Sequence, residues 1–253
     1  MNFPVSCNDL DCKYNKLVAV GTYKPSVKLF EINKHSMKYE RHSINDLIKG
    51  KFLEETKFVL LRRDKTLEFH LSTGLYETVK LEGYCRDISV INKQLMICGK
   101  KIEILDLEKA VYASQIEIEG EGISINPENG LIGIFNDNTL YFIDSRTNKT
   151  VFTKNTSKIN CIASKEYLFA IGTNQSVEEF DFRNPEKYNW QKKEKTEVVL
   201  YNKNAKLIFA GEHLLIYDDI KIDFNARINC LSCNNDFLFV GGEKEEIETY
   251  KFE

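Results

Sequence analysis

Apolar and polar positions repeat along this chain in one fixed figure: a short apolar run, a turn, then a run in which the two kinds of residue alternate. It is seen at Leu17-Val18-Ala19-Val20-Gly21 followed by Val27-Lys28-Leu29-Phe30, and at Phe58-Val59-Leu60-Leu61 followed by Leu67-Glu68-Phe69. Five further copies begin at Leu95, Leu131, Leu168, Leu207 and Phe237. Anchored on Val18, Phe58, Leu95, Leu131, Leu168, Leu207 and Leu238, the copies are 40, 37, 36, 37, 39 and 31 residues apart. A period in the upper thirties, made of strands, is the mark of a β-propeller.

Each unit predicts a hairpin whose first strand is covered on both faces and whose second keeps one wet side. A further short strand precedes each hairpin, as at Ile159-Asn160-Cys161-Ile162-Ala163 and Ile228-Asn229-Cys230-Leu231-Ser232, and a weaker one follows, as at Tyr76-Glu77-Thr78-Val79. The predicted fold is all-β: a seven-bladed WD-type propeller over residues 1–253 as a single domain. Gly21, Gly99, Gly172, Gly211 and Gly241 close apolar strands, where a turn needing positive φ is expected. The Trp-Asp pair is eroded to Leu105-Asp106, Ile143-Asp144, Phe180-Asp181 and Tyr217-Asp218, and the one tryptophan, Trp190, is placed in a loop. Residues 3–7 supply the first strand of blade 1 and residues 247–252 the third strand of blade 7. The last blade is then three-stranded, with an open edge able to take a partner's strand. Pairing of the N-terminus outside residues 247–252 would count against that open edge.

Composition narrows the partners. The 253 residues carry a net charge of −3, which excludes a global basic field for nucleic acid and leaves only local clusters such as Arg62-Arg63-Asp64-Lys65, read as solvated turns. No apolar stretch approaches membrane-spanning length, and a soluble intracellular protein without membrane contact is expected. Cys7, Cys161 and Cys230 are read as one repeated core position. Cys230-Leu231-Ser232-Cys233 has metal-ligand spacing, but it falls in a strand and has no second pair, so no metal or other cofactor is expected.

Catalysis would require a constellation, and none is evident around the histidines at 35, 42, 70 and 213. His70 ends a third strand where other blades carry Asp, which points to a structural hydrogen bond. The chain is expected not to be an enzyme, the competing case being a propeller hydrolase.

One series of motifs is more particular than the repeat. Gly21-Thr22-Tyr23-Lys24-Pro25 is followed by Lys38-Tyr39-Glu40-Arg41, Leu67-Glu68-Phe69-His70, Gly74-Leu75-Tyr76-Glu77-Thr78 and Gly83-Tyr84-Cys85-Arg86-Asp87. In order and spacing these resemble the nucleolar protein 10 family, WD-repeat proteins of the small-subunit processome. The resemblance covers roughly residues 17 to 90. Set against the family pattern, the chain is expected to be a reduced form without the N-terminal extension and long charged tail. The resemblance implies a non-enzymatic scaffold of the nucleus and nucleolus, acting in pre-18S rRNA processing and binding other assembly factors and pre-rRNA.

Gly21 and Pro25 shape a turn from which Tyr23 and Lys24 project, open to both RNA contact and packing. Lys38, Tyr39 and Arg41 lie on the outer strand of blade 1 as an interaction surface, and Arg86 is a further binding candidate. Glu68, Phe69, His70, Gly74, Gly83 and Asp87 are structural, with Phe69 in the core and Arg86-Asp87 an ion pair at an inter-blade turn. A competing function is that of a substrate receptor for a cullin-type ubiquitin ligase. Asp144-Ser145-Arg146 and Asp181-Phe182-Arg183 resemble the box such receptors present to their adaptor, though Asp and Arg at this corner also simply hold a turn.

Overall fold

The computed structural model describes residues 3–21, 25–42, 46–91, 93–109, 111–126, 128–218 and 220–252. Among the described residues there is no helix, so none is long and apolar enough to cross a membrane. Blade 1 is Cys7–Lys13, Lys16–Gly21, Ser26–Glu31 and Ser36–His42; blade 2 is Leu47–Glu54, Lys57–Arg62, Thr66–Leu71 and Gly74–Lys80. Blade 3 runs from Cys85–Ile91 to Val111–Ile116, blade 4 from Gly122–Ile125 to Lys149–Asn155, and blade 5 from Ile159–Lys165 to Trp190–Lys192. Blade 6 runs from Val198–Tyr201 to Ile220–Asp223, and blade 7 is Ile228–Cys233, Phe237–Gly242 and Glu248–Lys251. Seven antiparallel blade sheets, six of four strands and one of three, make the chain a seven-bladed β-propeller with a three-stranded last blade.

The chain divides into two compact units. One holds Met1–Ile88 with Asn225–Glu253, hence blades 7, 1 and 2; the other holds Ser89–Phe224. In the first unit, Phe3, Cys7, Leu17, Phe30, Cys230, Phe239 and Ile247 share one core, so the two ends of the chain are packed together. A second core joins Val18, Val20 and Leu29 of blade 1 to Phe52, Phe58 and Leu60 of blade 2. In the second unit, Phe142, Phe169 and Phe180 form one aromatic centre, with Phe142 and Phe169 edge to face at 4.7 Å.

Several expectations shift by a residue or more, each for a local reason. Blade 1 opens with Cys7–Lys13 rather than residues 3–7, and Phe3 instead makes an antiparallel bridge to Ile247, whose N–H donates to the Phe3 carbonyl at 3.0 Å. The N-terminus therefore does meet the outer edge of the last blade, but at one residue. Trp190 is not in a loop: it opens the fourth strand of blade 5, opposite Glu179.

The first strands carry a bulge after Cys7, Leu47, Ile159 and Ile228. The bulge puts Cys7 level with Ile159 and Ile228, whereas Cys161 and Cys230 share their level with Asp9 and Lys49. The three cysteines are thus not one repeated position. Among the strand-closing glycines, Gly172, Gly211 and Gly241 are kept for close approach rather than for φ. A Cβ on Gly241 would lie 2.2 Å from Cys7 Sγ and one on Gly172 2.5 Å from Cys161 Sγ, while positive φ is found elsewhere, as at Gly130 (φ 70°).

Candidate functional site

Two motifs, thirty residues apart in sequence, meet in one buried polar network. Glu68, on the third strand of blade 2, is 2 % exposed and His70 is fully buried. The Glu68 carboxylate accepts Arg62 Nη1 at 2.9 Å through Oε1, and faces His70 Nε2 at 3.0 Å through Oε2. A carboxylate only accepts, so Nε2 carries the proton toward Glu68. On the neutral ring this leaves Nδ1 to accept the Tyr39 hydroxyl at 3.3 Å. Arg41 Nη1 lies 3.9 Å from Glu68 Oε2 and is buried without a hydrogen-bond partner. Arg62 Nη2 donates to Asp64 at 2.8 Å. His70 stacks on Phe58 with the ring centres 5.0 Å apart.

The hydrogen bond from His70, and then that from Arg62, hold the Glu68 carboxyl below the usual carboxylate range although burial opposes them. Burial raises the Tyr39 hydroxyl.

A second network stitches the first strands of blades 1 and 2. Asp9 Oδ2 accepts the backbone N–H of Gly50 at 2.9 Å, and Asp11 Oδ2 that of Phe52 at 2.7 Å. Two carboxylates spaced i, i+2 on one strand thus satisfy alternate backbone donors of its neighbour, as a paired strand would. Lys49 Nζ lies 3.3 Å from Asp9 and 4.0 Å from Asp87, and Lys51 Nζ 3.9 Å from Asp9 and 3.8 Å from Asp11. Asp9 drives the Lys49 ammonium upward against burial. At Lys51, burial pulls downward but Asp9 and Asp11 outweigh it. Burial raises Asp11.

The candidate residues therefore separate. Tyr39 and Arg41 are drawn into the Glu68 network, while Lys38 is exposed and pairs with Glu31 at 3.0 Å. Arg86 is exposed, its guanidinium 5.7 Å from the centre of the Tyr84 ring. Asp87 accepts the N–H of Ile88 and faces Lys49. Phe69 is in the core, 4 % exposed; Gly74 opens the fourth strand of blade 2, and the Gly83 carbonyl faces Cys85 Sγ at 3.8 Å. Gly21 is buried at the end of its strand and Pro25 half-buried before the next. Tyr23 and Lys24 lie outside the described residues. His70 stands one residue before the place of Asp106, Asp144 and Asp181, which Leu71 takes in blade 2. Its ring bonds Glu68 within the same strand and Tyr39 of blade 1.

Sequence reasoning missed Arg62, read as part of a solvated turn, and a repeated carboxylate. Glu68, Glu103, Glu178 and Glu248 occupy one level of the third strands, opposite Leu60, Ile97, Ile171 and Val240. Three have a basic partner: Arg62 for Glu68, Lys101 at 3.2 Å for Glu103 and Lys244 for Glu248. Glu178 takes hydroxyl and amide donors from Ser176 and Gln191 instead. Aligning the third strands on the residue after their first apolar one would have shown the column.

At the Asp-x-Arg corners both arginines turn back on their own aspartates. Arg146 donates from Nε at 3.0 Å and Nη2 at 2.7 Å to Asp144, and Arg183 grips Asp181 in the same bidentate way. Each aspartate also accepts the N–H two residues on, which is the turn-holding arrangement. The Arg146 hydrogen bonds lower Asp144 from the ordinary 3.8 to about 2. Carboxyl carbon NMR is expected to show Asp144 titrating near that value, and Arg146→Ala to bring it back toward the ordinary one.

The fold and its inter-blade networks define a seven-bladed propeller whose distinctive motifs are spent mainly on joining blades 1 and 2. The sequence model described as the nucleolar protein 10-like, N-terminal domain matches residues 1–210, and the chain belongs to that family. It is similar to the ribosome biogenesis protein enp2 homolog of Schizosaccharomyces pombe, 29 % identical over 139 residues covering 51 % of this chain and 22 % of the relative. It is also similar to nucleolar protein 10 of Xenopus laevis, 30 % identical over 124 residues covering 46 % and 18 %. The match thus spans about a fifth of the length of these relatives. A chain in the crystal structure of the mitotic checkpoint complex superposes with a TM-score of 0.83 at 11 % identity, covering 97 % of this chain and 87 % of that one, a likeness of fold alone.

Proposed function

We propose that this chain is a non-enzymatic scaffold in early assembly of the small ribosomal subunit, working in the nucleolus as part of the small-subunit processome. Residues 1–253 act there as one propeller domain that binds other assembly factors and, locally, pre-rRNA. The observation that carries this reading is the family match over residues 1–210, whose relatives are named for ribosome biogenesis and the nucleolus. The motif residues Tyr39, Arg41, Glu68 and His70 support it differently, by making a rigid joint between two blades. A rigid frame suits a protein that presents several surfaces at once. Contact residues are assigned to Lys38, Arg86, Tyr23 and Lys24, and RNA contacts are few because the net charge is −3.

The test is a native pull-down of the tagged chain from its own cells, reading protein and RNA together. Precursor small-subunit rRNA with other assembly factors is expected, and Tyr23→Ala with Lys24→Ala should reduce the RNA while leaving the proteins. A cullin and its adaptor without precursor rRNA, removed by Arg146→Glu and Arg183→Glu, would replace this reading with that of a ligase receptor.

A further inference from the structure

The outer edge of blade 7 is set up for one more strand. Along Glu248–Lys251, alternate residues face alternate sides. Phe252 N–H donates inward to the Asp236 carbonyl, and Ile247 N–H donates outward to Phe3. By that alternation Thr249 and Lys251 direct their backbone groups to the outer edge, where six other blades carry a fourth strand. Thr249 Oγ1 is also buried without a hydrogen-bond partner. Among the described residues only Phe3 pairs on this side, and it does so at the end where a fourth strand would finish.

The other blades show what chemistry fits. Tyr250 lies opposite Leu238, at the level of Phe30, His70 and Leu105, whose fourth-strand neighbours are Met37, Leu75 and Tyr112; Ile143 at that level faces Thr150, so an apolar neighbour is the commoner choice there. Glu248 lies at the level of Glu68, Glu103 and Glu178, whose neighbours are Thr78, Gln115 and Gln191. Where the third strand has glutamate, the fourth opposes an uncharged hydrogen-bonding side chain. We propose that this edge takes an antiparallel strand of a partner protein reading apolar-x-x-Thr or Gln, with the apolar residue against Tyr250, the Thr or Gln against Glu248, and its C-terminal end toward Phe3. Leu75-Tyr76-Glu77-Thr78 and Tyr112-Ala113-Ser114-Gln115 are the internal patterns for it. Main-chain hydrogen bonds supply affinity and the two side chains specificity.

The probe is a labelled synthetic peptide of residues 74–80, added to the whole chain. Saturable binding is expected, with slowed amide exchange at Thr249 and Lys251. Lys251→Pro removes one outward N–H and no ladder bond, so it should abolish binding at unchanged thermal stability. A Thr78→Glu peptide sets two carboxylates together and should bind about tenfold more weakly. The proposal is overturned if the peptide does not bind up to millimolar concentration. It is equally overturned if the two amides are already slow without peptide, at all dilutions (own chain) or only in concentrated protein (a second copy). A failure here leaves the assembly role untouched, since the pull-down reads precursor rRNA and does not depend on this edge.

Discussion

Glu68→Ala is expected to be the most destabilising single change in the first unit, lowering stability by about 3–5 kcal/mol and the melting midpoint by roughly 6–20 °C. The carboxylate is buried and accepts from Arg62 and His70, while Arg41 completes its positive surroundings. Removing it leaves Arg62, whose side chain is 12 % exposed, without its best-buried partner and strips His70 of its acceptor. Glu68→Gln keeps the shape but loses the charge, and should fall between wild type and alanine.

The pH dependence has a definite sign. The folded-state carboxyl is held below its ordinary value of 4.5, so its contribution is present above that value and is lost as pH falls through the folded one. Chemical denaturation of wild type and Glu68→Gln across the acid range should show a steeper acid limb in wild type. Parallel limbs would mean that Glu68 is not ionised in the fold.

Asp9→Ala is expected to cost about 2–4 kcal/mol, read in the same denaturation experiment. Asp9 is 4 % exposed and satisfies the Gly50 N–H, a donor with no strand on that side to replace it. The variant also takes away the main reason the Lys49 ammonium is favoured in its half-buried place. Asp9→Asn retains an acceptor for Gly50 and should recover about half of the loss. If Asp9→Asn costs as much as alanine, the ion pairs rather than the backbone bond hold the two blades together.

What the sequence made legible was the part governed by periodicity. Apolar strands bounded by turns set the number of blades and placed the strands of the last one. What it concealed came from single-residue irregularities. Because side chains alternate, one extra residue exchanges the two faces of a strand. The shift between Leu29 and Phe30 sets Lys38 outside the pairing, leaving Met37 and Lys38 exposed while Tyr39 turns in toward His70. A strand read as an outward-facing surface thereby contributes to a buried network. The first-strand bulge displaced Cys7 from Cys230 in level, yet it brought their sulfurs to 3.6 Å. The glutamate column was hidden for another reason. A charged residue between two apolar ones is the ordinary signature of a half-wet strand, and only the side-chain donors gathered around it, basic at Glu68 and Glu103 and neutral at Glu178, show that the position is buried.

The shared core of Phe3, Phe30, Phe239 and Ile247 gives the two units different places in the order of synthesis. Ser89–Phe224 is continuous in sequence and can gather its sheets while the ribosome is still adding residues. Met1–Ile88, although made first, waits for Asn225–Glu253 before its core is whole. Residues made before the second unit are therefore secured after it, and a nascent chain stopped before Asn225 would leave Phe3 and Phe30 without Phe239 and Ile247 to cover them.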